Sequence, residues 1–188
     1  MCMHYRAVTN RCLAVYEKTN KITKMQARIV LLLALISQLL VNSEANRVIM
    51  KAFSYTFGLK MFECGEMTHY TEAMAKDILH FWDITRSLNN TETGCLVICA
   101  MMKLELLNSE GELITPNAEG FVHANGADDN TATFLIDLYN TCKNESSAIL
   151  NGCEIGLELS KCFRRGIYQK NWIPDTSSLW KLRDNASL

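Results

Sequence analysis

From residue 47 to residue 170 the apolar side chains recur three and four apart, the period of amphipathic helices. Val48, Met50, Phe53, Phe57 and Met61 form the first stripe, in a helix over 47–62 that Gly58 is expected to break. Thr71 is placed to cap a second helix carrying Ala73, Met74, Ile78, Phe81 and Trp82. The polar linker Asn89-Asn90-Thr91-Glu92-Thr93 leads into a third helix, capped by Thr91 and ending near Leu107. Asn108 to Glu112 reads as a turn, and residues 117–124 as a short helix stopped by Asn125-Gly126, with Gly126 suited to a left-handed conformation. Asp128 is placed to cap a helix over 129–143 with the stripe Ala132, Leu135, Ile136 and Tyr139. After the loop 144–147, a last helix is expected over about 151–170, carrying Ile155, Leu159, Cys162, Phe163 and Ile167 and broken by Trp172-Ile173-Pro174. No internal repeat and no convincing strand hairpin is visible.

One apolar stretch lacks this period. Residues 29–41 read Ile-Val-Leu-Leu-Leu-Ala-Leu-Ile-Ser-Gln-Leu-Leu-Val, preceded by Arg28. A run of 13 residues falls short of the roughly 20 that span a bilayer and fits the core of a signal peptide. Ser43-Glu44-Ala45 supplies small residues at the −3 and −1 positions, so cleavage is expected after Ala45. The alternative is a buried core helix. Met25 would start a compact signal peptide on its own. That leaves two readings of residues 1–24: an upstream extension of the frame, or a longer leader made basic by Lys18, Lys21 and Lys24. The expected organisation is a leader over 1–45, a helical domain over 46–174 and a tail over 175–188.

Removing the leader changes the composition. Six of the 19 basic and two of the 20 acidic residues lie in it, so the remainder carries 13 against 18, a net charge of −5. A mildly acidic chain without runs of like charge gives no footprint for nucleic acid. Cys2 and Cys12 also go, leaving Cys64, Cys95, Cys99, Cys142, Cys153 and Cys162. An even number of cysteines in a small secreted chain implies three disulfides. Cys95 and Cys99 stand one helical turn apart, too far to bridge each other, and Cys153 and Cys162 are separated by about 13 Å along a shared helix. Ten of the fifteen possible pairings survive these two exclusions. If both are oxidised, the helix of Cys95 and Cys99 is expected to be a hub, stapled to two other elements. The fold class is therefore all-α, about six helices stapled by three disulfides.

Candidate chemistry is sparse. No nucleophile elbow, phosphate loop or His-Asp constellation appears, and His69 and His80 have no glycine-rich loop beside them, so neither a helical, disulfide-rich phospholipase nor another enzyme is expected. His69, His80 and His123 are scattered, and no second close cysteine pair exists, so neither a metal nor a cofactor is expected. Asn89, Asn144 and Asn185 each begin a glycosylation triplet.

The cysteine spacing Cys-x30-Cys-x3-Cys-x42-Cys-x10-Cys-x8-Cys resembles that of insect odorant-binding proteins, most closely the moth pheromone-binding and general odorant-binding branch. Phe81-Trp82 between the first two cysteines, Glu92-Thr93-Gly94-Cys95, His123-Ala124-Asn125-Gly126-Ala127-Asp128, Phe163 after Cys162, and Asn171-Trp172-x-Pro174 carry the same resemblance, which covers about residues 46–174. It implies six helices around an apolar cavity and the bridges Cys64–Cys99, Cys95–Cys153 and Cys142–Cys162. It also implies a secreted carrier that takes a small hydrophobic odorant or pheromone through sensillar fluid to an olfactory receptor, as a monomer or weak homodimer without membrane insertion. By position the cavity would be lined by Met50, Phe53 and Phe57; Phe81 and Trp82; Val97, Ile98, Met101 and Leu107; Leu113 and Phe121; Ile136 and Tyr139; and Leu159 and Phe163, with Phe57 and Phe163 flanking a double bond. The rival reading is a secreted, disulfide-stapled receptor ligand of cytokine type with a filled core.

Three departures from the family pattern matter. Many relatives carry a serine where this chain has Met101, which cannot donate a hydrogen bond. The ligand is then more apolar, or its polar contact comes from elsewhere, with Ser54, Tyr139 and Ser160 as candidates. The lid segment Leu113-Ile114-Thr115-Pro116 has none of the family's paired histidines. The tail holds Lys181 and Arg183, which are costly to bury at any physiological pH. A weak or absent pH switch is expected. The leader reading predicts that secreted protein, subjected to amino-terminal sequencing, begins at Asn46; retention of residues 29–41 overturns it.

Overall fold

The computed structural model describes the backbone of residues 3–67 and 71–175. These residues form six helices: α1 (Met3–Met67), α2 (Glu72–Leu79), α3 (Thr91–Lys103), α4 (Thr115–Ala124), α5 (Asp129–Glu145) and α6 (Gly152–Gln169). The fold is all-α, with one isolated antiparallel bridge between Leu107 and Leu113.

Packing divides the chain into two units, residues 1–42 and 43–188. In the first, every described side chain between residues 24 and 37 is exposed, the apolar Ile29 to Leu33 and Ile36 included. Among the described residues, no helix is long and apolar enough to cross a membrane.

The second unit is built around α3. Cys64 of α1 bridges Cys99 of α3, Cys95 of α3 bridges Cys153 of α6, and Cys142 of α5 bridges Cys162 of α6, with Cα–Cα distances of 6.1, 4.3 and 5.5 Å. These are the pairs named above. α6, like α3, is tied to two other helices. Where α3 crosses α6 the two backbones touch. A Cβ on Gly94 would overlap the carbonyl of Cys153, and one on Gly156 would overlap the carbonyl of Gly94. Only glycine at both positions permits that approach.

Caps set most helix starts. Thr71 accepts from the Met74 N–H at 3.3 Å, Asp128 from the Thr131 N–H at 2.8 Å, and Asn151 from the Cys153 N–H at 2.9 Å. At α3 the cap is Asn90 rather than Thr91; its side chain accepts from the Glu92 N–H at 3.1 Å, and Thr91 is the first helical residue. α4 begins two residues earlier than the apolar pattern indicates, because Pro116 fits the first turn of a helix without needing a donor.

Three helices end in the same way. Glu105, Gly126 and Asn171 have φ of 56°, 94° and 57°. The N–H of each following residue returns to the helix: Leu106 to Met101 at 2.9 Å, Ala127 to Val122 at 3.1 Å, and Trp172 to Ile167 at 3.1 Å. This is the left-handed closure with an apolar residue just beyond it. Only Gly126 is legible from sequence. At Glu105 the closure ends α3 at Lys103, four residues short of the expected Leu107.

Two further boundaries differ from expectation. α1 runs unbroken through Gly58, where a Cβ would meet nothing within 4 Å. A glycine in a helix costs about 1 kcal/mol relative to alanine. Inward-facing Met50, Phe53, Phe57 and Met61, with the bridge at Cys64, hold the helix against that cost. α2 stops at Leu79, so Phe81 and Trp82 lie on a turn closed by the Asp83 N–H to the His80 carbonyl at 2.9 Å. The glycosylation candidates Asn89 and Asn144 are exposed, while Asn185 lies outside the described residues, as does His69.

These contacts predict opposite outcomes for two alanine substitutions. Gly156→Ala forces the α3–α6 crossing apart and lowers stability in thermal and denaturant unfolding by about 1–3 kcal/mol or more. Gly58→Ala raises stability by roughly 0.5–1 kcal/mol. A neutral Gly156→Ala would show that the crossing relaxes without cost.

Candidate ligand site

The buried apolar side chains form two clusters. The first gathers Met61, Met74, Ile78, Leu96, Val97, Met101, Leu107, Tyr139 and Leu159 with the disulfides of Cys64, Cys142 and Cys162. The second gathers Met50, Trp82, Val122, Leu135 and Ile167. All fifteen residues named as a cavity lining fall in one or the other. Met50, Trp82, Val97, Met101, Leu107, Tyr139 and Leu159 are buried members; Phe53, Phe57, Phe81, Ile98, Leu113, Phe121, Ile136 and Phe163 are half-buried and pack against them.

Phe121, Leu138 and Phe163 pack against both clusters. Phe53 is the centre of this region. Its ring lies 5.1 Å from Phe121 edge-to-face, 5.8 Å from Phe57 stacked, and 6.0 Å from Phe163 stacked. Phe57 and Phe163, the rings that the resemblance places about a double bond, therefore share Phe53 as a neighbour. Phe81 and Trp82 meet edge-to-face at 4.9 Å on the turn after α2.

The polar groups of this region are mostly spent on one another. Trp82 Nε1 donates to Ser54 Oγ at 2.8 Å, and Ser54 Oγ donates to the Met50 carbonyl at 2.6 Å. That chain explains why a tryptophan outside a helix is buried: its N–H has a partner. Ser160 Oγ donates to the Gly156 carbonyl at 2.7 Å. Two of the three hydroxyls considered as ligand contacts thus have their protons engaged within the fold.

Arg164 is a feature the apolar pattern did not single out. It is buried on α6, donating to the carbonyls of Phe81 at 3.1 Å and Asp83 at 3.3 Å, while its Nε is enclosed without a partner. Desolvation lowers its pKa, opposed by Asp83 and Asp77. Its helical spacing from Ser160 and Ile167 placed it on the inward face, which was the available signal. The guanidinium pins the Phe81–Asp83 turn, and with it Trp82, to α6.

The segment from Leu106 to Asn117 is held by uncharged groups at its centre. The Ile114 N–H donates to the Leu106 carbonyl at 2.8 Å, and Asn117 Nδ2 to the Glu105 carbonyl at 2.7 Å. Asn108 Oδ1 accepts from the N–H groups of Glu110 and Glu112 at 3.0 and 2.8 Å, closing the turn that the single Leu107–Leu113 bridge spans. Glu112 pairs with Lys143 of α5 at the rim. No group of three or more His, Cys, Asp or Glu side chains able to hold a metal is found among the described residues.

With this geometry in place, the chain can be set beside known proteins. The sequence profile of the PBP/GOBP family matches residues 50–166. Pheromone-binding protein 2 of Epiphyas postvittana is 29% identical over 131 residues, 70% of this chain and 79% of that protein. General odorant-binding protein 1 of Antheraea pernyi is 23% identical over 131 residues, 70% of this chain and 78% of that protein. The crystal structure of Epiphyas postvittana pheromone-binding protein 3 superposes with a TM-score of 0.55 at 33% identity, covering 60% of this chain and 97% of that one. The profile spans more than half of the sequence and includes all the helices that carry the aromatic cluster, and the chain belongs to the PBP/GOBP family of pheromone- and odorant-binding proteins.

Proposed function

We propose that the protein is a secreted carrier that holds a small hydrophobic odorant or pheromone in an apolar cavity among its helices and delivers it to an olfactory receptor. The observation that carries this reading is the set of large aromatic side chains, Phe53, Phe57, Phe121 and Phe163, left half-buried between two separate core clusters inside a disulfide-stapled frame. A core packed for stability alone encloses such rings, because burying each one gains about 1.5–3 kcal/mol. Rings held in place but not enclosed are suited to an alkyl chain laid against them. The fifteen lining residues belong to this proposal, and so does the leader over residues 1–45, which three disulfides require in some form for export to an oxidising compartment.

Each buried methylene of a ligand contributes about 0.8 kcal/mol, so ten give roughly 8 kcal/mol before association costs. Low-micromolar affinity or somewhat better follows. Fluorescent apolar probe, titrated into the oxidised protein, is expected to bind and to be displaced by long-chain alcohols, acetates, aldehydes or hydrocarbons at micromolar concentration. Absence of probe uptake sinks the carrier reading and brings forward a receptor ligand with a filled core.

The absence of titrating groups from Leu113 to Pro116 carries a second expectation. Protonating histidine there cannot open the lid, and the hydrogen bonds of Ile114 and Asn117 to backbone carbonyls involve no ionisable side chain. Ligand affinities at pH 7 and pH 5 are expected to agree. A loss of more than about tenfold on acidification, equivalent to some 1.4 kcal/mol, would overturn this. The tail with Lys181 and Arg183 lies outside the described residues.

A further inference from the structure

Two of the Asn-x-Ser/Thr triplets lie within the described residues, and the fold treats them differently. Asn89 is exposed on the loop between the Phe81–Asp83 turn and α3. The residue after it, Asn90, takes over the capping of α3, accepting from the Glu92 N–H at 3.1 Å. Thr91, the third residue of the triplet, is thereby spared that role. Neither the Asn89 amide nor the Thr91 hydroxyl has a hydrogen-bond partner among the described residues.

Asn144 is placed otherwise. It stands in the last turn of α5, two residues past Cys142, which is bridged to Cys162. Its third residue, Ser146, is 3% exposed, and the hydroxyl donates to the Cys142 carbonyl at 3.0 Å. An acceptor triplet belongs on a surface loop, where its amide and its hydroxyl can both be reached. Of these two triplets, the folded chain meets that condition at Asn89 alone.

The surroundings of Asn89 also suit a sugar. A hollow of about 300 Å³ opens beside it, lined by Lys76 and Asp77 of α2 and by His80, Arg86 and Ser87, with Asn89 itself in the wall. Lys76 pairs with Glu72 at 2.8 Å and Arg86 with Asp83 at 3.4 Å, so the cations are balanced and the hollow is polar without selecting an anion. Hydroxyl and amide groups, which both donate and accept, match such a lining.

Resting on the secreted reading, we infer that Asn89 carries an N-linked glycan and that Asn144 stays unmodified. The co-substrate is a lipid-linked oligosaccharide diphosphate of the secretory pathway. Asn89 Nδ2 attacks the anomeric carbon of its first sugar. The C–N bond forms as the bond from that carbon to the diphosphate oxygen breaks; the lipid diphosphate leaves with the electron pair, and Nδ2 gives up one proton. Transfer at Asn144 would have to precede both the winding of α5 and the closing of Cys142–Cys162, whereas Asn89 remains an acceptor before and after folding.

The test expresses the full chain, leader included, in cultured insect cells and treats the secreted protein with a peptide-N-glycosidase in heavy-oxygen water. The enzyme converts each glycosylated asparagine into a labelled aspartate, which peptide mass spectrometry reads site by site. Label is expected at residue 89 in most secreted molecules and is expected to be absent at residue 144. Thr91→Ala, which removes the triplet's hydroxyl, is expected to abolish the label at residue 89, and Thr91→Ser to retain it. Secreted protein without label at residue 89, label at residue 144, or label that survives Thr91→Ala overturns the inference while export stands. Retention of the whole chain inside the cell removes the secreted reading and the inference together.

Discussion

The crossing of α3 over α6 is the constraint on which the rest of this domain depends. Gly94 and Gly156 bring the two backbones into contact, and Cys95–Cys153, one residue from Gly94 and three from Gly156, locks them at a Cα–Cα distance of 4.3 Å. By chain entropy a bridge closing a loop of this length contributes about 4 kcal/mol, on a model-dependent account. Its more specific effect is geometric. Once α3 and α6 are fixed, the bridges from Cys99 to α1 and from Cys162 to α5 position the two remaining long helices against them. Four helices are held by their backbones and sulfurs, so the side chains between them are released from sole responsibility for stability.

That release bears on function. A helical domain without covalent ties must enclose its aromatic side chains to remain folded, because hydrophobic burial is its main stabilising term. Here Phe53, Phe57, Phe121 and Phe163 are only half-buried, although they lie on helices that converge. Apolar surface left open in this way is available to a ligand, and membership in a family of pheromone- and odorant-binding proteins accords with that use.

Polar groups complete the frame. Arg164 reaches across from α6 to two carbonyls of the turn that carries Phe81 and Trp82, and Trp82 in turn reaches Ser54 of α1. Charge-assisted hydrogen bonds of this kind are stronger than neutral ones. They fix a non-helical segment against the helical frame and aim its two aromatic rings inward.

The sequence alone determined what local physics decides. Apolar periods of three and four located the helices of the domain, Thr71 and Asp128 marked two starts, and the asparagine-glycine pair marked one stop. Cysteine spacing, with the motifs around it, identified the family resemblance and the hub. Tertiary structure decided what depends on neighbours distant in the chain. α1 passes through Gly58 because residues on both sides of it are anchored by other helices, and no local propensity records that support. Glu105 and Asn171 adopt left-handed conformations because an apolar residue follows each and must turn back into the core. Nothing local to the sequence marks Gly156; its need for glycine comes from the backbone of α3 lying against it. Ser54, Tyr139 and Ser160 are equal as letters; only the distances to their neighbours show that Ser54 and Ser160 are engaged as donors within the fold, because a hydrogen bond is a property of a pair.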